Sequence, residues 1–138
     1  FLNFAKDIAN MIMDRVKTED AIPYWDYDAP VTKETPRDVS AASVTASAMI
    51  ELSTMVPDGQ KYLDYAEKIL KSLSSDAYLA KVGDNQGFIL MHSVGSLPNG
   101  SEIDTPLNYA DYYYLEALKR FMELKKLKVE NGELRVIQ

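Results

Sequence analysis

The chain has 138 residues, 46% of them hydrophobic and 26% charged, which fits one globular domain and argues against two. Its net charge of −6 argues against nucleic acid as a partner, because phosphate backbones need a basic surface, yet leaves room for an anionic sugar at a locally basic site. With no cysteine and a single histidine, disulfides, thiolate centres, cysteine nucleophiles and multi-histidine metal sites are excluded.

No apolar run approaches the roughly 20 residues that span a bilayer, so no membrane partner is expected. Phe1 opens directly into helix-like sequence, without an initiator methionine or signal peptide. The chain is therefore expected to be a fragment of a longer product, and its compartment stays open.

From Leu2 to about Lys17, Phe4, Ile8, Met11, Ile12 and Val16 recur at three- and four-residue spacing. That period predicts a helix with one buried stripe. Ala21 to Pro30 breaks the period with prolines and an aromatic–acid alternation, and the loop continues to Asp38. Asp38 is the expected cap of a second helix, Val39 to about Met55, whose first half is almost all small residues. Small side chains let helix backbones approach closely, which suits either a crowded inner ring of helices or any tightly packed helix pair.

Pro57-Asp58-Gly59 predicts a turn, and Gln60 to Ser74 a third helix burying Tyr62, Leu63, Tyr65, Ala66, Ile69, Leu70 and Leu73. The two helices and their short turn make an αα-hairpin. A short helical stretch is expected around Asp76 to Lys81. The run Phe88-Ile89-Leu90-Met91-His92 reads as a short strand or an extended loop wall. Ser93 to Pro106, rich in Gly, Ser, Pro and Asn, reads as a long irregular loop, and such loops are more often functional than accidental. A last helix is predicted from Asn108 to about Leu127, with Tyr112 to Tyr114 mostly in the core. The tail, residues 128–138, reads as a small hairpin around Asn131-Gly132. The fold class is all-α: about four main helices with long rim loops at alternate junctions, unlike a bundle with short connections throughout.

Three stretches, taken together and in order, resemble glycoside hydrolase family 88, the unsaturated glucuronyl hydrolases. They are Pro23-Tyr24-Trp25-Asp26-Tyr27-Asp28 followed by Pro36-Arg37-Asp38-Val39-Ser40-Ala41-Ala42-Ser43; Gly87 to Ser93; and Tyr109 to Arg120. The resemblance covers the chain to about Leu124. It implies an (α/α)6 toroid of helical hairpins, of which residues 1–127 supply the carboxy-terminal two or three. It also implies an enzyme that hydrates the C4=C5 double bond left on a terminal uronate by polysaccharide lyases. An aspartic acid protonates C4, water adds at C5, and the resulting hemiketal opens to expel the sugar chain. The family's two catalytic aspartates come from earlier hairpins and no segment here matches their motifs. No catalytic residue and no cofactor are therefore expected in this chain, and alone it is expected to be inactive. By the same resemblance the source is bacterial, cytoplasmic or periplasmic.

The expected substrate-binding residues are Trp25, Arg37, His92 and Ser93. Trp25 is either a platform for a sugar face or an anchor for its loop. Arg37 is either a bidentate partner for a uronate carboxylate or an ion pair to Asp38 or a neighbouring acid. His92 is a rim hydrogen-bonder to a hydroxyl or carboxylate, or a structural histidine; Ser93, with Ser96, is a weaker candidate for hydroxyls or a sulfate. Asp26 and Asp28 read mainly as acceptors of local amides, and Asp111 as an acid favoured by the helix dipole. The expected partner is an unsaturated uronate oligosaccharide. Helix faces that would meet absent hairpins also predict self-association. The alternatives are a helical interaction module, against which the long loop and missing repeat period speak, and a non-catalytic sugar-binding remnant of a toroid.

Overall fold

The computed structural model describes residues 1–130. Four α-helices run through it: α1 Leu2–Arg15, α2 Val39–Ser53, α3 Gln60–Leu73 and α4 Asn108–Glu130. Between α3 and α4 lies a two-stranded antiparallel hairpin, β1 Ser93–Ser96 and β2 Ser101–Thr105. No helix among the described residues is long and apolar enough to cross a membrane.

α2 is the centre of the molecule. It packs on α3 along one side and α4 along the other, and the small residues of its first half make that possible. Ala42, Ser43, Ala46 and Ser47 are all buried, as are Ala110 and Ala117 of α4. The hydroxyls lost to water are recovered within the interface. Ser43 Oγ donates to the Val39 carbonyl at 2.8 Å and Ser47 Oγ to Glu116 Oε2 at 2.5 Å. Arg120 of α4 closes the same seam, donating to the Ser47 carbonyl at 3.0 Å and pairing with Glu51 at 2.9 Å.

The α2–α3 hairpin turns tightly through Gly59, where a Cβ would fall on the Ser53 carbonyl, so this position tolerates no side chain without a shift of the turn. α3 buries Tyr62, Leu63, Ala66, Ile69, Leu70 and Leu73 as its period predicts, and leaves Tyr65 half-buried.

Four expectations need correction. The stripe of α1 is not buried: Ala9 alone is, while Phe4 is 68% exposed and Ile8 and Met11 are also exposed. An open groove of about 190 Å³ separates Ile8 and Ile12 from Thr45 and Met49 of α2. An amphipathic pattern records that a helix has an apolar face, not that the chain itself covers it. In α4, Tyr114 is buried with its hydroxyl 2.8 Å from Ser74 Oγ, but Tyr112 is 61% exposed and Tyr113 half-buried. Helical spacing puts 110, 114 and 117 against α2, and 112, 115 and 122 on the opposite face.

Asp76 to Lys81 is not a helix. Its backbone pairs instead with the run before β1, through Ala80 N to the Ile89 carbonyl and Met91 N to the Tyr78 carbonyl, both at 2.9 Å. That pairing buries Tyr78 and Leu90, which one helical turn would not achieve. Finally, the segment Ser93 to Pro106 holds the β1–β2 hairpin, turning at Gly100 in the left-handed region (φ 66°). α4 passes the expected boundary at 127 and continues to Glu130, and the hairpin expected around Asn131-Gly132 lies outside the described residues.

Candidate functional site

The amino ends of α2 and α4 come together with the long loops at one end of the molecule. Asp38 is the joint. Its Oδ1 accepts from Ser40 N (2.9 Å), Ser40 Oγ (2.6 Å) and Val94 N of β1 (3.2 Å). Its own amide donates to the Pro23 carbonyl at 2.9 Å, and the Val39 amide donates to the His92 carbonyl at 3.2 Å. One buried carboxylate thus caps α2, where the helix dipole favours it, and ties loop 21–37 and β1 to the same point. Tyr109, in the first turn of α4, has its phenol pushed up by burial, eased by the neighbouring Ser40 hydroxyl, with the charges of Asp38 and Glu102 adding to the rise.

His92 follows this wall in a left-handed conformation (φ 68°). Its Nδ1 lies 2.6 Å from Asp104 Oδ1 of β2, and its ring stands edge-on to Tyr78 at 6.3 Å. Ser93 is fully buried, and its hydroxyl has no hydrogen-bond partner among the described residues. The wall before it is held from α4: Asp111 accepts from Ile89 N at 2.8 Å and Leu90 N at 2.9 Å.

Arg37 is engaged on several sides. Nη1 meets Asp20 Oδ1 at 3.2 Å and the Ile22 carbonyl, and the guanidinium lies 4.5 Å over the Tyr24 ring. Asp20 also accepts from Tyr78 OH at 2.6 Å and Ile22 N at 3.1 Å. Burial raises the Asp20 carboxyl, but the bonds from Tyr78 and Ile22 and the charge of Arg37 outweigh it and hold the group below its usual range. Tyr78 is pushed up to about 12, by burial first and then by Asp20. A cleft of about 690 Å³ opens beside these groups, lined by Lys17, Asp20, Tyr24, Tyr27, Val31 and Arg37 among others.

The structure therefore joins Arg37 and His92 through Asp20 and Tyr78, and sets Ser93 next to His92. It leaves Trp25 apart: half-buried, with its amide on the Pro36 carbonyl at 3.1 Å and its side chain outside the cleft lining. The alternation of an extended segment turns Tyr24 and Trp25 to opposite sides. Asp26 accepts from the Asp28 amide at 2.7 Å, the local role expected of it, whereas Asp28 pairs with Arg15 at 3.0 Å.

The residues that sequence reasoning missed are Asp20, Tyr78, Asp104 and Tyr109, each placed by a tertiary contact; Asp38 was legible only as a cap. The assembly offers fixed hydroxyls, carboxylates and one imidazole at a helix-end rim. Such groups recognise sugar hydroxyls and charges by hydrogen bonding.

No family model matches the chain. A curated "unsaturated glucuronyl hydrolase" from Formosa agariphila is 48% identical over 106 residues, 77% of this chain and 26% of that protein. Among solved structures, an unsaturated glucuronyl hydrolase described as specific for heparin superposes with TM-score 0.88 at 61% identity, covering 91% of this chain and 34% of that one. A variant of the Streptococcus agalactiae unsaturated glucuronyl hydrolase, solved in complex with dGlcA-GalNAc6S, superposes with TM-score 0.76 at 31% identity, covering 84% and 31% respectively. The chain spans about a quarter to a third of the length of these relatives. Its helices, joined alternately by a short turn and long loops, have the fold of that share of an (α/α)6 toroid.

Proposed function

Because the chain is homologous to about a third of the unsaturated glucuronyl hydrolases, glycoside hydrolase family 88, we propose that it is the carboxy-terminal, substrate-side wall of such an enzyme. Residues 1 to about 127 belong to the toroid. The whole enzyme hydrates the C4=C5 double bond of unsaturated uronyl oligosaccharides, and the proton donor resides in hairpins outside this chain. The observation that carries the reading is the rim where Asp38 gathers α2, loop 21–37 and β1 beside His92, Ser93 and Tyr109. Substrate binding falls to His92 on this wall and to Arg37 at the adjoining cleft, with the buried Ser93 backing the wall from inside and Trp25 holding its loop. The 61% identity to an enzyme described as heparin-specific favours a heparin-derived unsaturated saccharide. The partner that completes the ring is further helical hairpins, and the chain by itself associates through its open apolar faces.

Replacing the matching third of the heparin-specific relative with this chain tests the reading. The chimera should remove the double-bond absorbance of an unsaturated heparin disaccharide, while the 138-residue chain alone should not. Turnover by the chain alone, or a folded chimera without activity, would refute it.

A further inference from the structure

The β1–β2 hairpin and the residue before it concentrate unusual backbone. His92 (φ 68°), Glu102 (φ 52°) and Asp104 (φ 50°) all sit in the left-handed region, which non-glycine residues visit at a conformational cost. A regular hairpin needs none of them. Two of these three residues meet: His92 Nδ1 and Asp104 Oδ1 lie 2.6 Å apart. Stability does not account for the arrangement, because the two side chains are 42% and 59% exposed. Exposed charge pairs contribute little to folding, less than the strain of even one such backbone residue. Strain that is retained without a return in stability points to geometry held for a purpose.

We infer that Asp104 is a positioning residue for His92. A carboxylate only accepts, so the hydrogen between them belongs to His92 Nδ1. That fixes the tautomer and ring rotation, and leaves Nε2, which has no partner among the described residues, as the nitrogen offered to the sugar. The Tyr78 ring, T-shaped to the imidazole at 6.3 Å, flanks it, and the His92 carbonyl bond to Val39 N at 3.2 Å fixes the backbone that carries it. Neutral, Nε2 accepts from a sugar hydroxyl. The inference rests on the proposed substrate wall and adds to it the atom that acts and the residue that aims it.

His92 is the only histidine of the chain, so every imidazole signal of the 15N-histidine-labelled 138-residue protein belongs to it. The neutral ring should show a protonated Nδ1 and an unprotonated Nε2. An unsaturated uronyl disaccharide should shift Nε2. Asp104→Asn should keep the Val94 amide signal, showing the hairpin intact, yet move the ring toward the opposite tautomer and weaken disaccharide binding by about fivefold. Asp104→Glu, which keeps the carboxylate, should restore the Nδ1–H tautomer. A tautomer ratio or affinity unchanged in Asp104→Asn overturns the positioning role while leaving the wall standing, provided the disaccharide still shifts the wall's amides. A disaccharide that shifts neither Nε2 nor those amides overturns both.

Discussion

Replacing Asp38 by alanine removes the cap of α2 and strands the Val94 amide, which now donates to Oδ1 at 3.2 Å. A lost cap and a buried donor without its acceptor together cost about 2–3 kcal/mol, with Asp38→Asn losing less because one acceptor oxygen remains. Urea unfolding of the two variants checks the order. Asp20 makes a prediction about acid. Its folded carboxyl titrates below the ordinary 3.8, so it stabilises the fold above that value, and the contribution disappears as pH falls through the lower, folded pKa. Wild type should therefore exceed Asp20→Asn in stability at neutral pH, and the gap should narrow as pH falls below about 4. A gap independent of pH would remove Asp20 from the network. Neither Asp20 nor Asp104 was visible in the sequence as a site residue. Asp20 finds Tyr78 across 58 positions, and Asp104 meets His92 where both adopt left-handed backbone that no local pattern announces. Arg37 was legible as a residue for a carboxylate, and the acid it meets within this chain is Asp20 rather than its neighbour Asp38.

Among the elements, the α2–α3 turn is the least forgiving. Gly59→Ala drives a methyl group onto the Ser53 carbonyl, so the hairpin must open slightly, at about 1–3 kcal/mol as for other overpacked sites. A substitution within 0.5 kcal/mol of wild type by chemical denaturation would mean the turn relaxes freely. α2, α3 and their turn were readable because their signals are local: an Asp cap that takes the Ser40 amide, a 3.6-residue period, and a Pro-Asp-Gly stop. The β1–β2 hairpin and the paired stretch 78–91 were not. Their strands are short, and what holds them is pairing with each other and with Asp38 and Asp111. Local pattern carries no trace of such bonds.

At the scale of the whole molecule, two apolar faces stay open among the described residues: Phe4, Ile8 and Met11 on α1, and Tyr112, Leu115 and Met122 on α4. Patches of this kind promote association when they exceed about 300–600 Å2. Light scattering should show mass rising with concentration, and Ile8→Glu with Leu115→Glu should reduce it without changing helix content. A clean monomer at every concentration would retire the self-association proposed above. The sequence carried the stripe on α1, and the resemblance predicted exposed helix faces without marking α1 as one of them. The tether from Asp111 to the Ile89 and Leu90 amides gives the second of these faces a meaning beyond solubility. Tyr112 and Leu115 stand on the same helix, within a turn of that carboxylate. In the toroid proposed above, a neighbouring hairpin set against that face would bear on the helix that holds residues 89–90, two places before His92, so that completing the ring and steadying the rim imidazole would be one event.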